Sequence, residues 1–190
     1  MWDDPGPVDV LDCEALLDAI GARSPAPGVG ATAAIVGAMA AALCTKTARL
    51  SEDTGAAAQG EHLRRRLTAL AREDADAFEH ALRHLDEPRE DGSARGDWDL
   101  GRSLATAADV PLRIAEACAD VAELGSGLSR HVRHDVQADA AGAAVLAEAA
   151  ARVCAHLVAV NLGATADDDR VRRADALARA AGEAASDTGA

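Results

Sequence analysis

Aromatic side chains are nearly absent from this chain, which has no tyrosine, one phenylalanine and two tryptophans among 190 residues. Proteins that bind single-stranded nucleic acid stack bases on aromatic rings, so we expect no such surface here. Positive charge is also scarce, with 19 Lys and Arg against 32 Asp and Glu and a net charge of −13. Because an acidic protein repels phosphate backbones, we predict no nucleic-acid partner.

Long apolar runs and paired cysteines are missing as well. The longest apolar stretch, residues 31–45, is shorter than the roughly 20 residues that a membrane-spanning helix needs, and the opening MWDDPGP lacks the features of a signal peptide. No CxxC motif occurs, so the cysteines are interpreted as reduced core residues of a cytoplasmic protein that does not enter a membrane. These cysteines are Cys13, Cys44, Cys118 and Cys154.

The residues that are abundant, Ala, Leu, Arg and Glu, favour helices. Apolar residues recur at helical spacing, which predicts an all-α antiparallel bundle of about five to six helices around a central Ala-rich helix. We expect a flexible arm at 1–8, one domain at 9–185 and a flexible tail at 186–190. The first three predicted helices are 9–22, 31–50 and 61–85. A fourth segment begins near 97, restarts after Val110-Pro111 and ends near 124. A fifth helix is predicted at 129–162, and a last helix is capped by Thr165 or Asp167.

The stretch at residues 24–51 is predicted to form the centre of the fold. A loop rich in Pro and Gly, with Pro27, Gly28 and Gly30, runs directly into an almost pure Ala helix that contains Gly37. Such a helix has little side-chain bulk, so we expect it to be buried at the centre of the bundle. Backbone N–H groups at its start could bind an anion, or the loop could simply end the preceding helix.

Two aspartates fall on apolar seams. Asp74 lies on the seam of the helix at 61–85, and Asp139 lies on the seam of the helix at 129–162. A buried carboxylate must be paired, hydrogen-bonded or raised in pKa. Two carboxyls that face a shared hollow could therefore divide acid and base roles. The structural alternative is that each aspartate hydrogen-bonds the end of a neighbouring helix.

Two histidine pairs have a spacing that could bind a metal ion. His80 and His84 lie one helical turn apart, and His131 and His134 lie beside Asp135. Neither pair has the Glu-x-x-His spacing of a di-iron bundle, so we predict no metal site. A four-helix metal protein remains the third alternative, which elemental analysis would test.

Several segments carry a family resemblance. These are PAPGVGA followed by TAAIVGAMAAAL at 25–43, DADAF at 74–78, ATAADVPLRIAE at 105–116, ADAAGAA at 138–144 and VNL at 160–162. In order and spacing they resemble the cyclodeaminase/cyclohydrolase family. That family comprises the cyclodeaminase half of formiminotransferase-cyclodeaminase and the methenyltetrahydrofolate cyclohydrolases.

The resemblance implies an all-helical homodimer that acts on a one-carbon unit of tetrahydrofolate, without a metal. The reaction would be ring closure of 5-formiminotetrahydrofolate with loss of ammonia, or hydrolysis of 5,10-methenyltetrahydrofolate. Asp74 matches the family aspartate to which acid/base catalysis is assigned, and Asp139 would assist it. Pro27, Gly28, Gly30 and Asn161 would bind the folate.

The chain departs from the family pattern at four positions near these motifs. Val29 replaces a glycine, Ala31 replaces a serine, and Arg133 and Leu157 stand where asparagines are common. The alternative function is therefore a catalytically inactive relative that serves as a helical dimeric ligand- or protein-binding module.

Overall fold

The computed structural model describes residues 10–24, 26–86, 94–163 and 168–188. All regular secondary structure in these ranges is helical, which confirms the predicted all-α class. The six helices are α1 (Val10–Gly21), α2 (Val29–Leu50), α3 (Thr54–Asp86), α4 (Ala94–Ser129), α5 (His134–Asn161) and α6 (Asp169–Ser186).

Helix α2 is the central helix, as predicted, and it packs against α3, α4 and α5. Its buried face consists mainly of alanines, so the neighbouring helices approach closely. At Gly37 a Cβ would lie 2.6 Å from the Cys118 Sγ of α4. This crossing therefore requires glycine.

Gly60 does not end a helix. The predicted break at 51–60 shrinks to residues 51–53, because the Asp53 carboxylate accepts a hydrogen bond of 2.9 Å from the Ala56 N–H and caps α3. A Cβ on Gly60 would lie 2.6 Å from the Thr45 Oγ1 of α2. Gly60 is thus a packing residue inside α3, and the prediction of a break there was wrong.

Two predicted breaks in the fourth helix were also wrong. Helix α4 runs without interruption through Pro111 and through Gly125-Ser126-Gly127. A Cβ on Gly125 would lie 2.9 Å from the Ala140 carbonyl oxygen of α5. This glycine lets α4 and α5 pack closely, and α5 then begins at His134 rather than at 129.

The ends of the domain are only partly described. The predicted arm at 1–8 lies outside the described residues. The two predicted caps of the last helix, Thr165 and Asp167, also lie outside them. In the structure, Asp168 caps α6, because its side chain accepts a hydrogen bond from the Arg170 N–H. Of the predicted tail, residue 186 still belongs to α6, and the Thr188 hydroxyl donates to the Ala185 carbonyl at 2.8 Å.

Helices α2 and α5 are each long and apolar enough to cross a bilayer by length and composition alone. However, 50% of the apolar window of α2 and 44% of that of α5 are buried inside the protein. Core helices of soluble proteins pass the same test, so this is weak evidence for a membrane.

Candidate active site

A cavity of about 200 Å³ lies where the start of α2, the middle of α3 and the end of α5 meet α4. Its walls are mostly apolar. The polar groups on its lining are the Asp74 carboxyl, the Asn161 amide and the backbone from Gly28 to Gly30. Asp74 is the only ionisable side chain among the described lining residues.

Asp74 faces inward, as its position on the seam predicted, with 9% of its surface exposed. Burial raises the pKa of this carboxyl, while a hydrogen bond from the Ala31 backbone N–H acts in the opposite direction. Ala31 lies in the first turn of α2, where the positive end of the helix dipole also favours the carboxylate. The structural alternative for Asp74, a bond to the end of a neighbouring helix, is therefore also realised.

Gly30 is buried directly against this carboxylate. A Cβ built on Gly30 would overlap both Asp74 oxygens. Glycine is thus required for α2 and α3 to approach at this point. The glycine replacement at Val29 does not obstruct the approach, because Val29 is 53% exposed at the rim of the cavity.

The loop before α2 reaches the cavity through Gly28. Gly28 is the N-cap of α2 without a side-chain cap, and its carbonyl accepts from the Thr32 N–H at 3.1 Å and from the Thr32 hydroxyl at 2.9 Å. Pro27 follows a cis peptide bond at Ala26 and is not part of the lining. The structure thus places Gly28 and Gly30 at the cavity and Pro27 one residue outside it.

Asn161 ends α5 at the opposite wall. Its Nδ2 donates a hydrogen bond of 3.2 Å to the Ala107 carbonyl of α4. In a regular helix that carbonyl would accept from the N–H of residue 111, but Pro111 has none. The proline inside α4 thus leaves a carbonyl unpaired, and Asn161 satisfies it and is held beside the cavity.

Asp139 is not brought to this site. It lies near the start of α5 and forms an ion pair of 2.7 Å with Lys46, whereas the cavity is at the other end of that helix. The step of 22 residues from Asp139 to Asn161 spans about 33 Å at 1.5 Å per residue. The hollow predicted to be shared by Asp74 and Asp139 is therefore not formed within one chain.

The spacing of apolar residues identifies a helix face but not a position along the helix axis. The sequence pattern therefore does not distinguish Asp74, which lies at the cavity, from Asp139, which does not.

Phe78 was not predicted as a site residue. It lies four residues after Asp74, on the same face of α3, lines the cavity and is 41% exposed. The scarcity of aromatics could have drawn attention to it.

No group of three or more potential metal ligands occurs among the described residues. The two histidines at 131 and 134 make separate contacts, with the Gly127 carbonyl and the Gln137 side chain. The side chains of His80 and His84 lie outside the described residues.

Comparison with known proteins identifies the family and agrees with the all-helical fold. Residues 12–180 match the family model of formiminotransferase-cyclodeaminase. The chain is 30% identical over 187 residues to a methenyltetrahydrofolate cyclohydrolase of Methylorubrum extorquens, with 89% of each chain covered. The crystal structure of a formiminotetrahydrofolate cyclodeaminase from Thermotoga maritima superposes with a TM-score of 0.77 at 24% identity, covering 92% of this chain and 93% of the other. On the strength of the match to residues 12–180 and the cyclohydrolase likeness, the chain belongs to the formiminotransferase-cyclodeaminase family.

Proposed function

We propose that the chain is an enzyme of one-carbon folate chemistry, either a 5,10-methenyltetrahydrofolate cyclohydrolase or a 5-formiminotetrahydrofolate cyclodeaminase. The observation that carries the proposal is the buried carboxyl of Asp74, the one ionisable group among the described lining residues of a mostly apolar cavity at the start of α2. Of these two reactions, the 30% sequence identity to the Methylorubrum extorquens cyclohydrolase favours hydrolysis.

The charge of the cavity suits both substrates. In methenyltetrahydrofolate the carbon between N5 and N10 carries a delocalised positive charge, and a protonated formimino group carries the same N–C–N cation. A lone carboxylate in apolar surroundings attracts such a cation more strongly than water does. The absence of any other charged side chain on the described lining leaves Asp74 as the counterion.

The position of Asp74 also suits proton transfer. In hydrolysis, a water molecule adds to the bridging carbon and gives a proton to the carboxylate. The carboxylic acid then protonates N5 as the C–N5 bond breaks, which leaves the formyl group on N10 and releases one proton overall. In deamination, N10 adds to the carbon of the protonated formimino group and gives its proton to the carboxylate. The resulting acid protonates the amine, which leaves as ammonia and forms the methenyl cation.

The size of the cavity fits the reacting end of the ligand rather than the whole of it. Pockets that enclose a drug-sized ligand measure roughly 300–1,000 Å³, whereas this one measures about 200 Å³. We assign the Asn161 amide and the backbone of Gly28 and Gly30 to positioning the ring system next to Asp74. Pro27 would shape the loop that presents them.

An inactive binding module is the second candidate, but the local geometry does not favour it. The replaced glycine at Val29 points outward, and the buried Gly30 that admits the carboxylate is present. The homodimer that the family resemblance implies and the cytoplasmic location that the unpaired cysteines indicate are further parts of this proposal.

The test is turnover by the purified chain. Loss of methenyltetrahydrofolate absorbance above the uncatalysed rate identifies the cyclohydrolase, and ammonia release from 5-formiminotetrahydrofolate identifies the cyclodeaminase. If neither occurs but a folate derivative raises the melting temperature, the binding module is correct. If no folate derivative is turned over or shifts melting, the folate proposal is overturned.

A further inference from the structure

Three large apolar side chains are exposed around the mouth of the Asp74 cavity. Val29 at the start of α2 is 53% exposed, Phe78 on α3 is 41% exposed and Val160 near the end of α5 is 56% exposed, and all three line the cavity. The described chain exposes only five other large apolar side chains, which lie on α1, α2 and α5. We call Val29, Phe78 and Val160 the apolar rim. Exposed apolar surface that is concentrated at a cavity is typical of a ligand-binding surface.

Each residue of the apolar rim lies next to a polar group of the cavity. Phe78 follows Asp74 by four residues, which is about one turn of α3 or about 6 Å along its axis. The rim valine of α2 directly precedes Gly30, and the rim valine of α5 directly precedes Asn161. Asp74 and Gly30 are buried and Asn161 is half-buried, so these polar groups lie deeper than the rim. The site therefore has a polar interior and an apolar entrance.

The cavity is too small for both ring systems of a one-carbon tetrahydrofolate. It measures about 200 Å³, whereas pockets that enclose a drug-sized ligand measure roughly 300–1,000 Å³. In methenyltetrahydrofolate the reacting carbon joins N5 of the pterin to N10 of the p-aminobenzoyl group. A reacting carbon beside Asp74 therefore has one ring system on each side. When one of them occupies the cavity, the other must lie at the entrance.

The chemistry of the two ring systems indicates which one lies at the entrance. The pterin has N–H and carbonyl groups along its edge, and these need hydrogen-bond partners when they leave water. The interior offers the backbone at the start of α2 and the Asn161 amide. Since the Asn161 Nδ2 donates to the Ala107 carbonyl, its Oδ1 is the atom that can accept from a pterin N–H.

The p-aminobenzoyl ring suits the apolar rim. Both faces of this ring are hydrocarbon, so they need apolar contact and no hydrogen bond. Valine and phenylalanine side chains offer the first and cannot form the second. The ring of Phe78 can also pack against another aromatic ring in an offset or edge-to-face arrangement, which attracts the two rings beyond the effect of the area that they bury.

We propose that the apolar rim is the subsite for the p-aminobenzoyl ring of the substrate, with Phe78 packed against the ring and the two valines beside it. This rests on the proposed folate function and extends it to the part of the ligand that lies outside the cavity. Because the ring keeps the same contacts before and during the reaction, these contacts contribute to substrate binding and not to the chemical step.

The experiment compares two ligands, only one of which has the ring. Isothermal titration calorimetry measures the dissociation constants of 5-formyltetrahydrofolate and of 5-formyl-6-methyltetrahydropterin, which lacks the p-aminobenzoylglutamate part. We expect Phe78→Ala to weaken binding of 5-formyltetrahydrofolate roughly tenfold or more, because an aromatic contact and its buried area are lost. Binding of the pterin should change by less than about twofold, since it has no ring for Phe78 to contact.

Two further variants separate ring contact from a general effect on the fold. Phe78→Tyr keeps an aromatic ring and should bind 5-formyltetrahydrofolate within about threefold of the natural chain. The matched control is Leu146→Ala, because Leu146 on α5 is 40% exposed, as Phe78 nearly is, but lies outside the cavity lining; it should leave both dissociation constants unchanged. In turnover of methenyltetrahydrofolate, Phe78→Ala should raise KM roughly tenfold and leave kcat within about threefold. Circular dichroism checks that each variant is folded.

Three results would overturn the subsite and leave the folate function in place. They are unchanged binding of 5-formyltetrahydrofolate by Phe78→Ala, equal weakening of both ligands by this variant, and a lower kcat with an unchanged KM. A natural chain that neither binds nor turns over a folate derivative would instead overturn the proposed function, and the subsite with it.

Discussion

At the scale of single residues, the site depends on how one carboxyl is buried. Asp74 loses water on entering the apolar cavity, which raises its pKa, and gains one N–H bond from Ala31, which limits the rise. Gly30 makes the arrangement possible because it has no side chain at the contact with Asp74. The inward orientation of Asp74 followed from the sequence, but this dependence on Gly30 could not, because it arises between two helices.

Gly30→Ala should therefore disable the site. The added methyl group displaces the Asp74 carboxylate, so we expect activity to fall at least 100-fold and stability to fall by about 1–3 kcal/mol from overpacking. Turnover and thermal melting measure the two effects. The control is Gly182→Ala on α6, where a Cβ would meet nothing within 4 Å; equal behaviour of the two variants would contradict this role of Gly30.

The pH dependence of stability should reveal the raised pKa of Asp74. A carboxyl whose pKa is higher in the folded state than its ordinary value of 3.8 stabilises the fold below that value, and this contribution is lost as pH rises through the folded pKa. Asp74→Asn stays neutral throughout. Its stability relative to the natural chain should therefore increase with rising pH in denaturant unfolding, and a pH-independent difference would contradict the shift.

At the scale of helices, the sequence predicted where apolar faces lie better than where helices end. Gly60, Gly125 and Pro111 predict helix breaks because each disfavours an isolated helix. In the fold the two glycines are contact points with neighbouring helices, and Pro111 leaves a carbonyl that Asn161 uses. Their roles depend on the facing helix, which local sequence does not specify.

Pro111→Ala tests the link between α4 and α5. Alanine restores an N–H that can bond the Ala107 carbonyl, so the Asn161 amide must share its acceptor with the helix backbone and is held less firmly. We expect KM to rise severalfold with kcat less affected, while the melting temperature stays level or increases because a helical hydrogen bond is gained. Asn161→Ala should raise KM similarly; an unchanged KM in both variants would contradict a positioning role for this bond.

At the scale of the whole molecule, the net charge of −13 makes neighbouring chains repel one another, whereas the fold is stabilised by apolar contacts between the helices. The all-α fold and the central helix could be predicted from composition and periodicity. The separation of Asp139 from the cavity could not, because it depends on how far along α5 each residue lies.

The most direct test of the account compares Asp74→Asn with Asp76→Asn in turnover of methenyltetrahydrofolate and 5-formiminotetrahydrofolate. Asp76 is exposed on the same helix only two residues away, so the two variants lose the same charge in different surroundings. We predict that Asp74→Asn loses activity by about 10²–10⁴-fold, while Asp76→Asn stays within about threefold of the natural chain. Retention of activity by a folded Asp74→Asn variant would contradict the assignment of acid/base catalysis to the buried carboxyl.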